Sequence, residues 1–213
     1  SSKEVNNNIE ELDSIINTFS ILLKSMQDSG INDNFHNFLQ SEGSLLHLVN
    51  TNNKTKSIKI SSYDGYKFLC DFHTERTPSM IVYNYTNRTY CYGCGAAFDL
   101  VHYLMEYERI DYHQALWILA KVYMIDIKKN PLKEDNSLVK KYQESLLNDP
   151  YRELLIKGKE RLENYSIGNR LHYEYNCAMD KFNHDLLLIE RIRNGKHINY
   201  KKKKEQVFKL TIN

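Results

Sequence analysis

A chain of 213 residues with 41% hydrophobic side chains is long enough for one large domain or two small ones, and a net charge of +2 excludes a uniformly basic nucleic-acid binder. No apolar run approaches the ~20 residues that span a bilayer, and no charged-then-apolar leader precedes a small-residue cleavage site, so a cytoplasmic chain is expected. Four cysteines are too few for a disulfide scaffold of this length and fit a reduced compartment. The charge is uneven: residues 1–50 carry net −5, 51–150 net +1 and 151–213 net +6, which points to different partners at the two ends.

In chain order, Ile9, Leu12, Ile16, Phe19, Leu23 and Met26 recur three and four apart, which predicts an amphipathic helix over 5–28 with Gly30 as its stop. The same spacing is a coiled-coil seam, so this helix either packs on the chain or forms a homodimer. Asn32 or Asp33 is expected to cap a short second helix carrying Phe35, Phe38 and Leu39, completing a helical segment over 1–43. A short helix at Leu45–Val49 follows. Alternation predicts a strand over 57–61, and Asp64-Gly65 is a hairpin signal before a strand over 66–69.

The stretch 70–99 is the most informative. Cys70 and His73 form a C-x-x-H pair, and Cys91 and Cys94 a C-x-x-C pair. Two such pairs supply four soft or borderline donors, the set that closes a tetrahedral zinc site. Between them, residues 79–85 are rich in β-branched and aromatic side chains, Thr86-Asn87 is a turn, and 88–90 returns, so two strands bring the second pair back to the first. The rival pattern is H-x-E followed by P-C-x-x-C, as in zinc deaminases, with Glu75 handling protons at an open metal. Tyr90 stands where that pattern needs Pro, and Cys70 fills the fourth position, so the zinc is expected to be single and structural.

These residues resemble the CHC2-type zinc-binding domain at the N-terminus of bacterial and phage DNA primases of the DnaG type. That family runs C-P-F-H-x-E-K-T-P-S-F, then a strand pair, then C-F-G-C-G-x-x-G-D. Here the run is Cys70-Asp71-Phe72-His73-Thr74-Glu75-Arg76-Thr77-Pro78-Ser79-Met80, then Cys91-Tyr92-Gly93-Cys94-Gly95-Ala96-Ala97-Phe98-Asp99. The similarity covers roughly 44–127. Asp71, Arg76, Tyr92 and Phe98 depart from the pattern; Phe98 stands where the family has Gly, which leaves the backbone after the second pair open. The resemblance implies an α+β fold: a small antiparallel, zinc-ribbon-like sheet flanked by N- and C-terminal helices. It also implies single-stranded template on the sheet. Lys59, Lys67, Arg76 and Arg88 are the candidate phosphate contacts, and Tyr66, Tyr83, Tyr85, Tyr90 and Tyr92 the candidate stacking faces, with Tyr83 and Tyr92 foremost.

Asp99 is expected to cap a helix bearing Leu100, Tyr103, Leu104 and Tyr107. Asp111 with Gln114 reads as a capping box for a helix through Tyr123, with Trp117 and Ala120 in the core. Residues 128–150 read as a linker plus helix. The segment 151–213 reads as helices over 151–164 and 169–194, then a hairpin of 197–200 and 206–212 around the Lys201–Lys204 tip. Cys177 is expected to be a small buried residue.

Primases of this type continue into a catalytic domain with a Glu and an Asp-x-Asp cluster, which nothing after residue 127 matches. The expectation is therefore a primase-like zinc-binding module in DNA replication and primer synthesis. It would bind single-stranded DNA without its own catalytic centre and work with a catalytic primase subunit or helicase. The alternative is a stand-alone zinc-containing DNA-binding regulator or protein adaptor of a phage or mobile element; a third reading is part of a longer primase.

Overall fold

The computed structural model describes residues 33–53, 58–59, 64–127, 136–164, 172–200 and 203; the helix expected over 5–28, with its dimer seam, and the strand expected over 206–212 lie outside these. Helix α1 (Asp33–Glu42) and helix α2 (Leu45–Asn52) lead into a five-stranded sheet of β1 (Ile58–Lys59), β2 (Gly65–Phe68), β3 (Met80–Tyr83), β4 (Arg88–Cys91) and β5 (Ala97–Asp99). The strands pair in sequence order and antiparallel throughout. Period-2 alternation gives the sheet two faces. Tyr66, Phe68, Met80, Val82, Thr89 and Cys91 are buried on one, while Arg88, Tyr90 and Ala97 are exposed on the other.

Helices α3 (Leu100–Glu108) and α4 (Tyr112–Val122) follow, with caps as their sequences predict. Asp99 accepts from the His102 N–H, and Asp111 with Gln114 closes a capping box. Trp117 and Ala120 are in the core. Phe98, at the position where the resembling family has Gly, is ordinary strand with its ring 4.6 Å from that of Phe72. Asp71, in place of the family's Pro, is held by the Tyr103 hydroxyl at 2.8 Å and the Asn53 amide at 3.1 Å.

The remaining elements are β6 (Ile125–Asp126), α5 (Asn136–Leu147), α6 (Asp149–Glu163), α7 (His172–Arg193) and β7 (Ile198–Asn199). Helix α7 ends in a Schellman turn at Gly195, φ +61, with Lys196 N–H on Arg191 O. Residues 198–199 pair parallel with β6, Ile125 opposite Ile198, while the partner strand expected over 206–212 lies outside the described residues. Tyr200 then packs on Phe35 and Phe38, with ring centroids at 4.9 and 4.8 Å. Of the expected lysine tip the described residues include Lys203, which pairs with Glu42 and lies over the Phe38 ring. Cys177 is half-buried rather than buried.

One hydrophobic core takes residues from Phe35 to Tyr200, so α5, α6 and α7 pack on the sheet and on α2. Polar ties join the parts. The turn residue Asn87 (φ 54) accepts from Leu45 N–H at 2.6 Å and donates to the carbonyls of Gln40 and Gly43 at 2.7 and 3.1 Å. Tyr142 accepts from Asn52 and donates to Glu108.

His47 on α2 is wholly buried, its Nε2 3.0 Å from the Tyr142 carbonyl and its Nδ1 3.3 Å from the Tyr123 hydroxyl. Burial holds this imidazole down at about 4, from an ordinary 6.5. Below pH 6.5 the unfolded chain therefore takes up a proton that the folded chain refuses. The contribution is fully present above that pH and is lost as the pH falls. Linkage gives a loss of about 1.4 kcal/mol between about pH 7.5 and about pH 5.5. Urea midpoints at the two pH values should show this loss in the wild type and a flatter response in His47→Gln; equal slopes would mean that His47 takes up its proton in the folded state without penalty.

Candidate metal centre

Two loops at one end of the sheet build the site. The first leaves β2 at residue 69 and carries Cys70 and His73; the second leaves β4 at Cys91 and carries Cys94. The hairpin register sets Met80 opposite Cys91, so the loop before β3 and the loop after β4 emerge side by side. Tyr92 N–H donates to Ser79 O at 3.0 Å and clamps them together.

One donor atom from each of Cys70, His73, Cys91 and Cys94 lies within 4.8 Å of the others. Cys70 Sγ is 3.9 Å from Cys94 Sγ, and Cys91 Sγ is 3.7 Å from His73 Nδ1. With zinc–sulfur bonds of about 2.3 Å and a zinc–nitrogen bond of about 2.05 Å, a tetrahedron has edges of about 3.8 and about 3.6 Å. The four donors therefore suit one zinc ion, and with four protein ligands the position is structural. Phe72 N–H points at Cys70 Sγ at 3.4 Å and Gly93 N–H at Cys91 Sγ at 3.3 Å, the contacts that favour thiolates. Burial pushes the Cys70 thiol up to about 12. At Cys91 burial acts the same way, but the Ser79 hydroxyl and the Cys94 and Gly93 amides outweigh it and bring that thiol down to about 7.

Glu75 holds the first loop around the donors. Its carboxylate accepts from Cys70 N–H at 2.7 Å, from Ser79 N–H at 3.0 Å and from the Ser79 hydroxyl at 2.6 Å. It also lies 3.2 Å from His73 Nε2. That contact leaves Nδ1 facing the sulfurs, the carboxylate–histidine arrangement that orients a metal-bound imidazole. Burial works against the charge on Glu75, but these donors win and its pKa is lowered. Glu75 is thus occupied in holding the site, which removes the proton-transfer role that the deaminase pattern would give it. A Cβ on Gly93 would lie 2.7 Å from His73 Nε2 and 2.8 Å from Ser79 Oγ, so only glycine fits between the loops. Sequence reasoning did not assign Glu75 this role; its place two residues after the ligand His73 was the available signal.

The candidate DNA contacts fall in different places. Register sets Lys67 opposite Ile81, Ile81 opposite Tyr90 and Tyr90 opposite Ala97, one row across the open face. Tyr83 and Arg88 are opposite each other in the next row. A shallow groove of about 340 Å³ is lined by Tyr83, Tyr85, Arg88, Tyr90 and Phe98, among others. Tyr92 is 66% and Tyr90 40% exposed; their rings meet edge to face at 4.9 Å, and Tyr92 hydrogen-bonds the Tyr83 hydroxyl at 3.1 Å. Arg76 is exposed in the first metal loop. Lys59 is paired in register with Tyr66, not with Lys67. Tyr66 itself is core, 3% exposed beneath the Arg161 guanidinium, so it offers no face to a base.

The CHC2 zinc finger family matches residues 31–135. The DNA primase of Chlamydia trachomatis is 40% identical over 62 residues, covering 29% of this chain and 10% of that protein. The DNA primase of Borreliella burgdorferi is 33% identical over 114 residues, 49% of this chain and 22% of that protein. The crystal structure of the Aquifex aeolicus primase (zinc binding and RNA polymerase domains) aligns with a TM-score of 0.38 at 20% identity, over 70% of this chain and 40% of that one. The matched part of this chain thus spans about a fifth or less of these curated relatives. Among the described residues no helix is long and apolar enough to cross a membrane. The chain carries, over residues 31–135, a zinc-binding domain of the CHC2 zinc finger family.

Proposed function

We propose that this chain is a primase-type zinc-binding module that lays single-stranded DNA template across the open face of its sheet during primer synthesis. The observation that carries the reading is the exposed Tyr90–Tyr92 pair beside Tyr83, with Arg88 in register and Lys67 at the far end of the Tyr90 row. Large exposed aromatics on a strand face are costly in water unless they meet a partner, and every base offers a ring to stack on. Arg76, Arg88 and Lys67 supply the cations that phosphates need, and the zinc loops hold Tyr92 at the edge of this surface. Nucleotide transfer would come from a catalytic primase subunit or domain, with a helicase as a further replication partner; the similarity to DNA primases supports both.

Fluorescence anisotropy on labelled single strands and duplexes of equal length, over a salt series, tests the reading. Single strands should bind more tightly than duplex, with affinity falling as salt rises. Tyr90→Ala and Tyr92→Ala should each weaken single-strand binding by roughly 5- to 150-fold, from about 1–3 kcal/mol per stacked base. Arg76→Ala and Arg88→Ala should reduce both affinity and salt slope. Variants that bind as the wild type does, or an equal preference for duplex, would move the template away from this face.

A further inference from the structure

We infer that His36, Asp99 and His102 form a second metal site, separate from the cysteine cluster, for a borderline first-row divalent cation of the zinc class. One donor atom from each lies within 4.8 Å of the others. Asp99 stands at the end of β5, where register sets it opposite Arg88, three residues along β4 from Cys91. At about 3.3 Å per residue that is about 10 Å from the first site.

The donors come from two elements that a polar clamp holds in place. Gln40 on α1 accepts from Leu100 N–H, the first residue of α3, at 3.0 Å and donates to Asn87 O at 2.6 Å. One turn earlier on the same face of α1 stands His36. Its Nε2 is therefore delivered to Asp99 Oδ2 at 3.1 Å. From the first turn of α3, His102 Nδ1 meets Asp99 Oδ1 at 2.8 Å. Donors on one octahedral face lie about 3.0 Å apart and on a tetrahedral edge about 3.4 Å, for metal–ligand bonds near 2.1 Å.

A single imidazole on a carboxylate is an ordinary hydrogen bond. Here a second imidazole converges on the same carboxylate, and the outer nitrogen of the first is held as well: His36 Nδ1 is 3.1 Å from the Tyr112 hydroxyl. A proton kept on Nδ1 by that hydroxyl leaves the Nε2 lone pair free for a cation, the outer-sphere arrangement of metal-binding histidines. Two imidazoles and a carboxylate suit zinc, iron(II), cobalt(II) and their neighbours rather than calcium or magnesium. Asp99 supplies the carboxylate, held in place by the His102 N–H at 2.9 Å. His36 and Asp99 are largely covered while His102 is 52% exposed, so the three protein donors leave open positions facing water.

Cobalt(II) titration of the metal-stripped, tag-free full chain separates the two sites, because only the cysteine site gives a thiolate-to-cobalt charge-transfer band. The wild type should bind two equivalents, one with that band and one with d–d absorption alone. The His36→Gln/His102→Gln double variant should saturate at one equivalent with the charge-transfer band intact, which also shows that the domain still folds. Asp99→Asn retains a helix cap and should weaken the second equivalent by roughly tenfold or more. Saturation of the wild type at one equivalent, or a second equivalent that survives in the double variant, would overturn the site.

Discussion

Cys91→Ser/Cys94→Ser is expected to lose the zinc of the cysteine site in equilibrium dialysis, one equivalent less than the wild type holds, and to lose the end of the sheet. The reason lies in how little else holds the loops. Among the donors only Cys70 and Cys91 are buried, and Phe72 and Phe98 are the main apolar side chains that the metal end adds to the core. Structural zinc contributes about 10–16 kcal/mol of binding free energy at neutral pH, as much as the whole stability of many domains. Two loops that share a few hydrogen bonds through Glu75 and Ser79 cannot replace that. Amide exchange should therefore show protection lost around residues 70–79 and 91–97, while α4 to α7, which pack on their own tyrosines and leucines, keep theirs. Glu75→Gln is the graded companion: it retains the shape but loses the charge beside His73, and zinc affinity should fall by roughly 10- to 100-fold. Unchanged zinc content in the double cysteine variant would remove the metal assignment.

Gly158→Ala should destabilise the fold, although glycine to alanine inside a helix ordinarily stabilises by about 1 kcal/mol. Gly158 lies within α6, where a Cβ would come 1.9 Å from Tyr66 Oη and 2.6 Å from Phe182 Cε1. Neither neighbour is free to give. The Tyr66 hydroxyl donates to Leu154 O at 3.2 Å, and its ring lies 4.9 Å under the Arg161 guanidinium. Phe182 is fully buried on α7. Overpacking costs about 1–3 kcal/mol, and a displaced buried hydroxyl costs about 1–3 kcal/mol more. These terms exceed the helix gain, so a net loss of about 1–5 kcal/mol is expected as a lower denaturant midpoint at unchanged slope. Tyr66→Phe in the same chain removes the nearest atom and should recover part of the loss. A midpoint that rises in Gly158→Ala would mean that α6 does not seat on the sheet in this way.

Much of the metal centre is legible in the chain itself. The spacings of Cys70, His73, Cys91 and Cys94 name the ligands, and the β-branched run between them names the hairpin that brings the pairs together. Asp99 and the Asp111–Gln114 pair announce two helix starts, because capping is a matter of three or four neighbouring residues. All of these are local relations, and short-range geometry is what a residue pattern encodes. What depended on the tertiary structure is which surfaces meet. Tyr66 and Tyr90 both read as strand tyrosines; the pleat and the seat of α6 put the first in the core and leave the second exposed. Glu75 takes its role from Ser79 and His73 folding back around it. His36 stands next to Asp99 because Gln40, 60 residues before Leu100, docks one helix on the start of another. Residues 198–199 pair with Ile125 and Asp126 because α7 returns the chain beside that strand. Such pairings depend on complementary faces far apart in the chain, and a residue pattern carries a face without naming its partner.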